Sequence, residues 1–108
     1  MKINVDFSVS TSGGEAIGNV VGDLDFAVEP MIGDTISLMC APTGSVIPGG
    51  HESGGLLKVD VRIISPGQGQ YPLAIMLSDM VAGTREQAVS LMSYLEAEFG
   101  LQANFYDH

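Results

Sequence analysis

At 108 residues the chain has room for one domain with its own apolar core. Its single cysteine, Cys40, excludes an internal disulfide and a multi-thiolate zinc site. Thirteen acidic residues against four basic ones give a formal net charge of −9, which argues against nucleic acid as a partner and against attachment to an anionic membrane surface.

No apolar run approaches the roughly 20 residues needed to span a bilayer. Met1 leads directly into a polar/apolar alternation, without the charged and apolar regions of a signal peptide. The expected location is cytoplasmic.

Lys2 to Ser10 alternate strictly, with Ile3, Val5, Phe7 and Val9 on one side, and predict a half-buried strand. Ala16 to Val21 is a short apolar piece between glycines, either a brief strand or irregular. Leu24, Phe26 and Val28 alternate with Asp23, Asp25 and Glu29 and predict a second strand. Pro30-Met31-Ile32-Gly33-Asp34 is a turn. Thr35 to Cys40 predict a third strand with Ile36, Leu38 and Cys40 facing inward, so that Cys40 is a buried, inert thiol.

Residues 41–55 form a long loop whose five glycines and two prolines argue against regular structure. Loops of this length in a compact domain tend to be functional or mobile. Leu57, Val59, Val61 and Ile63 predict a fourth strand, with Lys58, Asp60 and Arg62 outward and able to pair with Asp6, Asp25 or Glu29 on neighbouring strands. Tyr71 to Leu77 predict a fifth, apolar on both faces through Ala74 and Met76. Ser78 to Gly83 read as a linker.

Thr84 to Gly100 carry the clearest signals in the chain. Thr84 is an N-cap with Gln87 at capping-box spacing, and Glu86 sits in the first turn. Ala88, Leu91, Met92, Leu95 and Phe99 form an apolar stripe, with Arg85, Ser90, Ser93, Tyr94, Ala97 and Glu98 on the outer face. Gly100 can end the helix in the left-handed conformation. The tail Leu101–Ala103–Phe105 either adds a last strand or packs on the core.

Strands followed by one helix give an α+β single domain over residues 1–108. The expected architecture is an antiparallel meander, or a small partly closed β-barrel, of about five to six strands. One C-terminal helix over 84–99 lies across an open end or one face.

No catalytic set emerges. His51-Glu52 lacks the second histidine of a zinc-protease motif, so His51 and Glu52 remain weak metal candidates at most. Asp23-Leu24-Asp25 lacks the glycine and closing glutamate of a calcium loop. Gly50-His51-Glu52-Ser53-Gly54 is no nucleophile elbow, and Gly67-Gln68-Gly69 is too short for a dinucleotide fingerprint. No cofactor is implied, and the reading leans away from an enzyme.

Apolar residues off the main alternation exceed what one core requires: Met31, Ile32, Val46, Ile47, Met76, Met80 and Val81. A patch of such residues marks an interface, with Met76, Met80 and Val81 as the candidates. The expected function is a small non-enzymatic interaction or assembly protein, a homo-oligomer with a dimer favoured, able to bind another protein. The alternative is a small-molecule or metal-binding domain using the barrel mouth and the 41–55 loop.

Overall fold

The computed structural model describes residues 1–49, 55–66 and 73–106. In chain order these form β1 (Lys2–Thr11), β2 (Ala16–Asp25), β3 (Thr35–Ser37), β4 (Leu56–Ile64), β5 (Leu73–Leu77), β6 (Met80–Ala82), α1 (Arg85–Phe99) and β7 (Gln102–Phe105). One sheet holds the strands in the order β3-β4-β5-β1-β2-β7, with β6 also on β1. The helix packs on one face. The domain is α+β as expected, but the sheet is mixed and open, neither a meander nor a barrel.

The departure from a meander lies at β1. Its partner on one side is β2, antiparallel from Lys2↔Asp25 onward. On the other side β5 and β6 both run parallel to it, through Asn4↔Ala74 and Val9↔Met80. The strand with the most regular apolar alternation therefore takes the centre of the sheet, where both neighbours shield it and Ile3, Val5, Phe7 and Val9 are fully buried.

Strands β5 and β6 are one line along β1, offset by one residue across Ser78-Asp79. The Ser78 N–H donates to the Lys58 carbonyl at 2.8 Å, and the Lys58 N–H donates to Ser78 Oγ at 2.9 Å. The stretch expected as a linker is thus partly strand, and Met80 is core.

Strand β2 runs unbroken over ten residues, joining the two pieces read separately in the sequence. Its register with β1 runs to Lys2↔Asp25, and the Phe26 N–H still donates to the Met1 carbonyl at 2.7 Å; Val28 lies outside the strand and is exposed. The tail does add a strand, β7, antiparallel on β2 from Val21↔Gln102 to Gly18↔Phe105. A Cβ on Gly18 would stand 2.2 Å from the Asn104 carbonyl oxygen and 2.9 Å from Met92 Cε. Only glycine lets helix and last strand close over β2 at this point.

The third strand is shorter than expected. After Ser37 a bend at Met39 shifts the alternation by one, so Ala41 turns inward and Cys40 is exposed. Cys40 instead bridges Val46, and Ile47 returns to the core. The first part of the expected 41–55 loop is therefore a tight excursion packed on the helix.

Tyr94, expected on the helix's outer face, is buried under this excursion and donates its hydroxyl to the Leu38 carbonyl at 2.9 Å. Its ring meets Phe99 edge-on at 5.7 Å between centroids. The Thr43 hydroxyl donates to Glu98 Oε2.

The helix ends behave as their residues dictate. Thr84 Oγ1 accepts from the Gln87 N–H at 3.1 Å. The Gln87 amide oxygen reaches back one residue beyond the cap, to the Gly83 N–H at 2.9 Å. Gly100 adopts φ +70, and the Leu101 N–H closes on the Leu95 carbonyl at 3.4 Å.

Candidate functional site

Strand β4 defines the surface of interest. Leu57 and Val59 are buried as expected. Val59 opposes Leu77 and Val61 opposes Met76, so an extra residue, Asp60, interrupts the ladder with β5. A bulge of this kind shifts the side-chain parity of everything beyond it.

Two expectations are overturned as a result. Val61 and Ile63, read as inward, lie on the outer face at 42 and 46 % exposure, and Ile64 stands at 68 %. Arg62, read as outward, shares the face of buried Ile75. Its side chain is only 16 % exposed and pairs with Glu29 at 2.9 Å. Its Nε also donates to the Pro30 carbonyl at 3.1 Å.

These contacts place the Phe26–Asp34 segment along the β4 edge. The Gly33 N–H donates to the Val59 carbonyl at 3.0 Å, and the Val59 N–H donates to the Asp34 carbonyl at 2.9 Å. Between the anchors at Pro30 and Gly33 lie Met31 and Ile32, both exposed, with Val28 exposed just before them. On the outer face of the sheet Val61, Ile63 and Met76 make an apolar margin, while Ile64, opposite buried Leu73, belongs to the inner face and is exposed at the strand's end.

The outer face beyond it is polar. Asn19 bonds Asp6 at 3.4 Å, Asn104 bonds Asn19 at 3.4 Å, and Gln102 bonds Asn104 at 3.1 Å, a row crossing β1, β2 and β7.

Of the interface candidates chosen from the sequence, Met76 belongs to this margin, directly opposite Val61. Val81 is exposed but lies along β1 at Ser10, four strand steps from Met76's position at Asp6, or about 13 Å. Met80 is buried in the core beside Val9 and cannot take part in a surface. Sequence periodicity misses Val61 and Ile63 because a bulge leaves the written alternation intact. Adjacent apolar pairs interrupt it only at the two ends of the strand, Leu56-Leu57 and Ile63-Ile64.

A second feature is a cleft of about 420 Å³ between the end of β2, β3 and the helix C-terminus. Leu24, Phe26, Ile36, Leu38, Pro42 and Phe99 supply its apolar lining, and Asp23, Asp25 and Glu98 its charge. Asp25 accepts from the Met1 ammonium at 2.8 Å, and that hydrogen bond and charge, helped by Lys2, hold its carboxyl below the usual range. Lys2 stands 3.8 Å from Asp23.

Among the described residues no group of three or more His, Cys, Asp or Glu side chains is placed to hold a metal ion. His51 and Glu52 lie outside the described residues. No described helix is long and apolar enough to cross a membrane. Compared with protein-family models, curated proteins and solved structures, the chain matches none.

Proposed function

We propose that the chain is a small non-enzymatic interaction protein that self-associates through the apolar margin of β4. The observation that carries this reading is the grouping of exposed Val61, Ile63 and Met76 at one border of an otherwise polar sheet face, with Ile64 exposed at the end of the same strand. Contiguous apolar surface of this kind is costly to leave in water and is the usual mark of an interface. The test is analytical ultracentrifugation of the Val61→Lys/Ile63→Lys double variant beside Val81→Lys. The margin variant is expected to weaken self-association at least tenfold, and Val81→Lys to leave it unchanged. A larger effect from Val81→Lys, or a wild-type monomer at high micromolar concentration, removes the reading.

A second reading, a small-molecule-binding domain, is favoured by the cleft. Its volume falls in the range of ligand sites; with Asp25 held by the Met1 ammonium and Asp23 facing Lys2, the apolar lining and Glu98 suit a small amine with an apolar body. Saturable protection of the amides of 23–27 and 36–38 from hydrogen exchange by a panel of aromatic amines would support it. Unchanged exchange across the panel would remove it.

A further inference from the structure

We propose that the cleft at the C-terminal end of α1 takes a primary monoamine, its ammonium on Glu98 and its apolar body along the lining, and that it discriminates against diamines and polyamines. This inference rests on the small-molecule reading above and adds the place and the number of the ligand's charges.

The cleft has two anionic poles, and only one is open. Asp23 and Asp25, at the end of β2, form the first. The chain fills it with its own cations. The Met1 ammonium donates to Asp25 Oδ1 at 2.8 Å and to the Phe26 carbonyl at 2.7 Å, and Lys2 stands 3.8 Å from Asp23. Glu98 is the second pole. Its Oε2 accepts from the Thr43 hydroxyl, a neutral donor that orients the carboxylate without cancelling its charge. Among the described residues no cation pairs with Glu98. The helix adds to the negative potential there. It ends at Phe99 with no basic residue in its last turn, so the partial negative charge of its C-terminus is not balanced within the helix.

Most of the remaining lining is apolar, from Leu24, Phe26, Ile36, Leu38, Pro42 and Phe99. Burying a ligand's carbon skeleton against it is favourable. Burying a second ammonium is not, because a charge drawn from water needs a partner, and Asp23 and Asp25 already hold theirs. The second charge of a diamine must displace Met1 or Lys2, or stay desolvated. The net charge of −9 attracts organic cations at long range, and doubly charged ones more strongly. A preference for one charge over two is therefore the mark of the cleft and not of the acidic surface.

The test is an NMR titration of the isotope-labelled chain at neutral pH with hexylamine, hexamethylenediamine and hexanol, read at the amides of 23–27, 36–38 and 98–99. Hexylamine is expected to bind at least tenfold more tightly than either of the other two. Glu98→Gln keeps an acceptor for Thr43 and removes the charge; it is expected to bring hexylamine to the level of hexanol and to leave hexanol unchanged. Hexamethylenediamine or hexanol binding as tightly as hexylamine overturns the assignment and leaves the small-molecule reading standing. A preference for hexylamine over hexanol that survives Glu98→Gln does the same. The absence of a saturable shift with any of the three overturns both.

Discussion

Tyr94 shows how one side chain joins elements that are distant in sequence. Its hydroxyl ties α1 to the backbone of Leu38, and its ring rests against Phe99. Burial pushes its ionisation above the ordinary tyrosine value of 10.0, with Cys40 and Glu98 adding negative charge nearby. A group whose pKa is raised on folding stabilises the fold fully below its unfolded value and loses that contribution as pH rises through the folded one. Tyr94→Phe is therefore expected to cost about 1 kcal/mol near neutral pH, through the lost hydrogen bond. It should also flatten the fall in stability above pH 10; urea unfolding at pH 7 and at alkaline pH checks both. The helical period placed Tyr94 outside because it borders the apolar stripe. Its burial comes from the Leu38–Ile47 excursion, which widens the covered arc and which no periodicity within the helix encodes.

Among the elements, α1 is the most legible because its signals are local. Cap, stripe and stop occupy one continuous stretch and agree with one another. The two glutamates that oppose the helix dipole near its end find other partners. Glu96 accepts the Ala103 N–H at 3.2 Å, and Glu98 accepts the Thr43 hydroxyl. The terminating glycine gives a clean prediction. A Cβ on Gly100 would meet nothing within 4 Å, so Gly100→Ala loses only the ease of the left-handed backbone, about 1 kcal/mol. Denaturant midpoints should shift by that amount with an unchanged m-value. Strand β4 is the opposite case. Leu57 to Ile63 read as one alternation, but the ladder to β5 slips at Asp60. The Arg62–Glu29 pair then closes a face where an arginine was not expected; with Glu29 half exposed it stabilises by only ~0.2–1 kcal/mol. Its larger consequence is to remove a free charge from the strand.

At the scale of the molecule, the sheet has two unlike sides. One carries the helix and the core; the other is polar over β1, β2 and β7 and apolar at the β4 margin. The expected dimer must form despite a charge of −9 on each copy. Long-range repulsion between like-charged copies is screened over about 10 Å at 0.1 M salt. The association tested by ultracentrifugation should thus tighten as sodium chloride rises from low ionic strength, as expected for apolar contact between acidic partners. Weakening with added salt would point instead to ion pairs and against the margin.

The sequence by itself determined the α+β class, the helix with both its ends, the inward face of β1, and the absence of any recognisable catalytic motif. Each depends on spacing within a few residues, where covalent geometry and backbone hydrogen bonding leave little choice. Only the tertiary structure decided that β1 sits between β2 and the β5–β6 line, that Met80 and Tyr94 are core while Cys40 is not, and that Val61 and Ile63 face outward. Strand order and bulges depend on which distant edges meet. A single extra residue in one strand of a pair reverses every side chain beyond it without altering the pattern in either strand alone.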